Sequence, residues 1–285
     1  MSREPRRWID LHLHSTASDG AYAPAKLIGM AKARGLCAVA LTDHETTAGL
    51  SEAATAAAEA GIEFVPGIEV AARRNRGTMH ILGYFIDAGS TALNGFLSEM
   101  LAKRHERNRA VLDRLAELGI ELDREKLKRS ADGPVVTRPH IARALVHSGL
   151  AGSFKEAFDR YLADGAAAWV RREKPTAEEA IGTIRGAGGV ATLAHPSTLG
   201  HASHLELETL VRSLCDAGLQ GIEVYHPDHT SQQTRLFVEM AARFDLAITG
   251  GSDFHAFDSH RGGSGFGGIR VPYAVLAPLR KRAGV

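Results

Sequence analysis

Residues 36–72, "LCAVALTDHETTAGLSEAATAAAEAGIEFVPGIEVAA", hold two apolar runs separated by an alanine-rich one. "LCAVALTDH" is strand-like, with its polar residues gathered at the end. "TTAGLSEAATAAAEAG" has the composition of a helix and a glycine where one stops. "IEFVPGIEVAA" is extended again. A strand–helix–strand unit of this length builds barrels and doubly wound sheets with parallel strands and crossover helices. The rhythm continues on both sides. Upstream lie the strand "RWIDLHLH" (7–14) and the helix "PAKLIGMAKARG" (24–35), with Pro near its start and Gly after its end. Downstream comes the strand "GTMHILGYFID" (77–87). After an interruption follow helix "TAEEAIGTIRGAGG" (176–189), strand "VATLAHP" (190–196) and helix "LELETLVRSLCDAG" (205–218). Strand "LQGIEVYHP" (219–227), helix "SQQTRLFVEMAARF" (231–244) and strand "LAITGGSDFH" (246–255) complete the series.

The interruption runs from Leu93 to Arg172 and reads as helical throughout. It comprises a long amphipathic "LNGFLSEMLAKRHERNRAVLDRLAELG", then "DREKLKRS", "TRPHIARALVHSG" and "SFKEAFDRYLADG". Because the β/α pattern resumes afterwards, residues 93–172 are expected to be an inserted subdomain, with 1–92 and 173–285 forming one α/β body. No internal repeat or low-complexity tract occurs.

A chain of 285 residues, 44% hydrophobic, can bury a sizeable core. A formal net charge of +1 gives no global basic field for a long nucleic-acid surface. Cys37 and Cys215 each lie in an apolar segment and suggest neither a disulfide framework nor a thiolate metal site, so a reducing cytoplasm is expected. "MSREPRRW" has no apolar run behind its basic residues, as a signal peptide would, and no segment is apolar for long enough to span a membrane.

Fourteen histidines are present, many at the ends of strand-like runs. Side chains at i and i+2 of a strand share a face, so His12 and His14 in "HLH" converge, as do Asp253 and His255 in "SDFH". Asp43 and His44 in "LTDH", Glu69 in "PGIE", His195 in "LAHP" and His226 in "VYHP" also close strands, Asp19 follows the first, and His80 lies in "TMHILGY". In parallel β/α folds the carboxyl ends of the strands meet at one face, where sites are built. A single buried histidine is usually a hydrogen-bonded structural residue, but an HxH, a TDH, an AHP and a DxH on separate strands point to metal binding. Imidazole and carboxylate without thiolate suit Mn²⁺, Zn²⁺ or Fe²⁺, and more than four ligands exceed what one tetrahedral zinc takes. Several metals bridged by a carboxylate such as Glu69 explain the set.

These motifs resemble the polymerase-and-histidinol-phosphatase (PHP) family of metal-dependent phosphoesterases: "HLH" (12–14), "TDH" (42–44), "GIE" (67–69) with "MH" (79–80), "AHP" (194–196) and "SDFH" (252–255). The insertion and "TRPHIARAL" (137–145) are most similar to its bacterial TrpH/YciV branch, whose members trim short RNA from the 5′ end and remove phosphate from nucleoside 3′,5′-bisphosphates. The resemblance implies a distorted seven-stranded (β/α) barrel of PHP type with three divalent metals, Mn²⁺ foremost. It implies that His12, His14, Glu69 and Asp253 hold the first metal. Asp19, His44 and His255 would hold the second, with Asp19 where relatives often have His. Glu69 would bridge to a third, completed by His80 and His195.

A nucleotide or short RNA is therefore the expected substrate, hydrolysed by a metal-activated hydroxide with no covalent intermediate; no membrane and no obligate protein partner are implied. His195 or His226 could give the leaving oxygen its proton. Arg104, Asn108, Val111, Leu115 and Leu118 share one stripe of the long helix, so Arg104 extends a buried face, and His105 follows Leu101 and precedes Leu112. Both are candidate substrate contacts, against the alternative of a snorkelling side chain. Thr137 can cap a helix whose first turn carries Arg138 and Pro139. An Arg there, with His140 beside it, makes a phosphate clamp, against the alternative of a local salt bridge. "RGGSGFGGIR" (261–270) contains GxGxxG but lacks the strand before and helix after that a dinucleotide fold needs. His201, His204 and His260 read as exposed, and His229 as surface or pocket. The competing functions are a histidinol-phosphate or other small-monoester phosphatase and a non-enzymatic metal-binding accessory module.

Overall fold

The protein is described from a computed structural model that covers residues 7–129, 135–256 and 265–285. Residues 1–6, His260 and the first glycine of the GxGxxG stretch, Gly263, lie outside them.

The chain alternates as the 36–72 unit suggests. β1 (Trp8–Asp10), α1 (Pro24–Ala33), β2 (Leu36–Leu41), α2 (Leu50–Ala60) and β3 (Glu63–Ala72) come first. β4 (Met79–Tyr84) precedes the helices α3 (Thr91–Glu117), α4 (Arg124–Arg129), α5 (Arg138–His147) and α6 (Phe154–Ala157). α7 (Ala177–Gly186), β5 (Val190–Leu193), α8 (His204–Asp216), β6 (Gly221–Tyr225), α9 (Ser231–Arg243), β7 (Ala247–Gly250), β8 (Val271–Pro272) and α10 (Leu276–Ala283) follow. Local chemistry sets the helix ends. Pro24 opens α1, Gly61 closes α2 with φ of 68°, and α7 begins with a Thr176–Glu179 capping box.

The strands form one eight-stranded sheet in the order β7-β6-β5-β4-β3-β2-β1-β8. Two features correct the seven-stranded parallel expectation. β4 runs antiparallel to both β3 and β5, and the two-residue β8 adds an antiparallel edge beside β1. The sheet nearly closes into a barrel where the segments that follow β1 and β7 meet. The Leu11 amide donates to the Gly250 carbonyl at 3.1 Å and the His14 amide to the Phe254 carbonyl at 3.1 Å. Glycine is required at this seam, since a Cβ on Gly251 would stand 2.3 Å from the His12 nitrogen.

Ile68, Val70 and Ala72 of β3 and Met79 and Ile81 of β4 join the main apolar cluster beneath the helices. Strand alternation turns Glu69 and His80 to the opposite face, into the barrel. α3 spans two cores. Leu93 and Leu97 pack into the barrel's cluster, whereas Val111 and Leu115 join a separate one with Ile141, Leu145, Tyr161 and Leu162. Between these halves of α3, Arg104, Arg107 and Asn108 are buried polar residues at the junction. Leu118, placed on the same stripe from sequence, is 50% exposed, because α3 ends one residue earlier.

Candidate metal centre

The strands and the segments that follow them deliver the candidate ligands to one mouth of the barrel. His12 and His14 follow β1, His44 follows β2, Glu69 and His80 lie within β3 and β4, and His195 follows β5. His226 follows β6, and Asp253 and His255 follow β7. The loop after β1 is shaped by Asp43, which is fully buried and accepts from the Ser15 amide (2.7 Å), the Ser15 hydroxyl (2.6 Å) and the Ser18 hydroxyl (2.5 Å). That turn presents Asp19. Among the described residues, Glu45, His195 and Asp253 adopt left-handed backbone at φ of 55°, 23° and 49° at this mouth. Each costs on the order of 1–3 kcal/mol, which the surrounding bonds offset.

Glu69 is the hub. Its Oε2 lies 3.5 Å from His12 Nε2, 3.2 Å from His14 Nε2 and 3.0 Å from His44 Nδ1. Its Oε1 lies 2.8 Å from His80 Nδ1 and 3.1 Å from His195 Nε2. Asp253 Oδ1 lies 3.1 Å from His14 Nε2, and Asp19 Oδ1 lies 3.4 Å from His255 Nε2. Among the described residues, three sets have donor atoms within 4.8 Å of one another: His12, His14, Glu69 and Asp253; His14, Asp19, His44 and His255; and His44, Glu69 and His80.

Hydrogen bonds outside the cluster fix several rings with a lone pair turned inward. His12 Nδ1 donates to Glu223 Oε1 at 2.9 Å, and His255 Nδ1 to the Asp253 carbonyl at 2.8 Å. The Thr198 hydroxyl spends its proton on backbone carbonyls and so accepts from His195 Nδ1 at 3.0 Å. His226 differs. Its Nδ1 accepts from the Asp228 amide at 3.2 Å, so Nε2 carries the proton and faces Asp253 Oδ2 at 3.6 Å.

Within this donor set, His12 Nε2, both His14 nitrogens, Asp19 Oδ1 and Glu69 Oε2 are buried without a hydrogen-bond partner among the described residues. Orphaned buried polar atoms are costly, and divalent cations would satisfy them, so the residues present fit metals. The electrostatics agree. Burial disfavours the charged His14, but the Asp253 and Glu69 carboxylates, 3.1 and 3.2 Å from its Nε2, outweigh that and hold its pKa at about 10. Burial takes His44 down to about 3 and His80 to about 4. Asp19 and Glu69, despite burial, are held well below the carboxylate range by the surrounding histidines.

Sequence reading missed Glu223 and Glu45. Glu223 sits inside β6, fully buried, and also accepts from the His195 amide at 2.7 Å. His12 overcomes the cost of burial and holds its pKa at about 2. A carboxylate amid "GIEVY" was the available signal. Glu45, one residue past the TDH motif, is gripped by Arg172 (2.5 and 2.6 Å) and by Arg104 (3.2 and 2.6 Å).

The substrate-contact candidates separate. Arg104 is buried on Glu45 at the rim of the mouth, whereas His105, the next residue round α3, is exposed. Arg138 donates to the Leu162 carbonyl at 3.2 Å and approaches Asp164 at 3.5 Å. His140 Nδ1 accepts from the Thr137 amide at 3.0 Å, completing the cap of α5. His229 is half-buried: its ring meets Phe237 and its Nδ1 the Val224 carbonyl at 2.9 Å.

Comparison with known proteins agrees with the geometry. The chain is 41% identical over 249 residues to a 3′,5′-nucleoside bisphosphate phosphatase of Chromobacterium violaceum, covering 87% of each. It is 37% identical over 246 residues to a 5′-3′ exoribonuclease of Haemophilus influenzae, covering 86% of this chain and 89% of that one. A solved structure from Chromobacterium violaceum, described as an amidohydrolase with bound sulfate and no metal, superposes with a TM-score of 0.85 at 37% identity, covering 96% of each chain. The PHP domain model matches residues 10–164. By motif, fold and relationship, the chain belongs to the PHP domain family.

Proposed function

We propose that this phosphoesterase acts on nucleotides that carry a second phosphate: nucleoside 3′,5′-bisphosphates, losing the 3′-phosphate, and short RNA with a 5′-phosphate, trimmed from that end. The observation that carries the proposal is a cluster of cations from the helical segment beside the mouth. Arg104, Arg107, Arg138, Arg172 and Lys174 act on one another there, with Glu45 the buried carboxylate among them. Arg107 is 7% exposed and its Nε has no partner among the described residues. A buried excess of positive charge calls for an anion. The names of the two relatives, a bisphosphate phosphatase and an exoribonuclease, support the same substrates. Residues 93–172 would then be a substrate cap, and Arg138 the outer member of the clamp.

His12, His14, Asp19, His44, Glu69, His80, His195, Asp253 and His255 would hold three divalent ions, Mn²⁺ best suited to a mixed imidazole and carboxylate set. When bound, such ions supply charge neutralisation and a nucleophile at neutral pH. The protein's own part is positional. The cation cluster holds the unreactive phosphate, so the ester to be cleaved is fixed over the carboxylates. His226, with its proton on Nε2, serves the leaving oxygen, while the tautomer of His195 suits it to ligation instead. No helix among the described residues is long and apolar enough to cross a membrane, and Cys37 and Cys215 are free thiols, which suits a cytoplasmic enzyme.

The test is product analysis with Mn²⁺-loaded protein, adenosine 3′,5′-bisphosphate and a 5′-phosphorylated RNA. AMP plus phosphate, or mononucleotides released from the 5′ end, is the expected result. Turnover of histidinol phosphate with neither nucleotide substrate touched would overturn it.

A further inference from the structure

The cation cluster does not end at the mouth. Its segment continues through Arg171, Arg172, Glu173, Lys174 and Pro175, and the Pro175 carbonyl accepts from the Arg73 amide. Arg73 begins the hairpin "RRNRGT" (73–78) that joins β3 to β4, the two strands bearing Glu69 and His80. His80 pairs with Ala71, so Arg73 stands only two residues, roughly 7 Å, beyond the metal-facing pair.

The hairpin is anchored to the turn that carries His195. The Thr78 amide donates to the Thr198 carbonyl at 2.8 Å, and Arg74 Nε donates to the Leu199 carbonyl at 2.7 Å. Gly77, at φ of 70°, packs so closely that a Cβ would lie 2.4 Å from the Leu199 carbonyl carbon. Arg74 is spent on this anchoring. Arg73 and Arg76 are exposed, and neither has a carboxylate partner among the described residues. They line a cavity of about 430 Å³ with Asn75, Thr176, Glu178 and Glu206. Glu206 is already committed, accepting from the Ala202 amide at 2.7 Å and facing Arg74 at 3.8 Å.

We infer that this fixed hairpin, with Lys174, is the track along which single-stranded RNA passes once its leading nucleotide occupies the metal centre and cation cluster. The inference rests on the substrate reading above and deepens it. Exposed, unpaired guanidinium groups on rigid backbone, continuous with a buried anion site, suit a chain of phosphates. A mononucleotide bisphosphate, with its two phosphates at the metal centre and the cation cluster, has no third phosphate to offer Arg73. The hairpin therefore discriminates by length and makes RNA, not the free bisphosphate, the substrate that engages the whole surface.

The experiment compares the full-length Mn²⁺-loaded protein with its Arg73→Glu/Arg76→Glu and Arg73→Ala/Arg76→Ala variants. The substrates are adenosine 3′,5′-bisphosphate, a 5′-phosphorylated dinucleotide and a 5′-phosphorylated hexanucleotide of RNA, each over a range of salt. The glutamate variant should raise KM for the hexanucleotide at least tenfold more than for the bisphosphate, with the dinucleotide between. Loss of two phosphate contacts should flatten the salt dependence of hexanucleotide kcat/KM by roughly 1.4 in logarithmic slope. Equal changes for all three substrates, or unchanged hexanucleotide kinetics with wild-type salt slope, would overturn the track while leaving the nucleotide reading in place. A wild-type protein inert toward every nucleotide substrate would instead remove that reading, and the track with it.

Discussion

Glu223 ties two candidate ligands together through one carboxylate, accepting from the His12 ring and from the His195 amide. A glutamine there can offer oxygen to only one of these donors and must turn its NH₂ against the other. We expect Glu223→Gln to fold but to bind Mn²⁺ about 10–100-fold more weakly, as loss of an outer hydrogen-bond partner does. Free Mn²⁺ measured by electron paramagnetic resonance reads this without any turnover; wild-type affinity in the variant would refute the role. His226 gives the converse pattern. His226→Gln should retain its metals yet lose about 10²–10⁴ in kcat, the range for a general acid. Loss of metal instead would make it a ligand. These residues also mark what sequence can disclose. His12, His14, His44 and Asp253 were legible because each lies just past a strand; Glu69 was read as a strand end too, but β3 runs on to Ala72 and the residue sits within it. Glu223 was not legible, since a lone acid inside a strand carries no spacing signal until the fold sets it against His12.

The proposed substrate role of the helical segment is testable on the face that α3 turns to the barrel. Arg107 is drawn down to about 8 by burial and by Arg104, Arg138 and Arg172, so its charge is held at a cost. Arg107→Met keeps the apolar stem and removes that charge. The melting temperature should stay level or rise, while KM for a bisphosphate rises about tenfold more than for a monophosphate. A falling melting temperature with equal KM changes would make Arg107 structural. Lys174 is likewise lowered to about 8, by burial and by Arg172 and Arg138. It is charged below that pH and neutral above it. Bisphosphate KM should therefore climb as pH passes 8 while monophosphate KM stays flat, which pH-dependent initial rates would show. The same elements show where sequence reading stopped. Periodicity identified β4 as a strand but not its direction. The six-residue link from β3 was the clue, because a parallel crossover needs a dozen residues or more. β8 is two residues long, too short for any pattern, and exists because β1 offers it an edge.

For the whole molecule, metal and fold are linked through protons. In the metal-free chain the buried carboxylates Glu69 and Asp253 are neutralised by imidazolium: burial opposes the charge on His14, their negative charge 3.2 and 3.1 Å away overrides it, and its pKa stands at about 10 against an ordinary 6.5. A group raised in this way stabilises the fold fully below its unfolded pKa. That stability is lost as pH rises through the folded value. The metal-free protein should thus lose melting temperature steadily between pH 6.5 and 10. A divalent ion replaces the proton as counter-charge, so the Mn²⁺-loaded protein should hold its melting temperature over the same range. Loading at pH 7 should also release about one proton from His14, seen as a dependence of calorimetric heat on buffer ionisation enthalpy. At 100 times the dissociation constant the bound ion adds about 2.7 kcal/mol, several degrees for a chain of this size. The gap between loaded and EDTA-treated melting curves should therefore widen with pH. Parallel curves, with no proton released on loading, would mean that the histidines at this barrel mouth do not hold the ion.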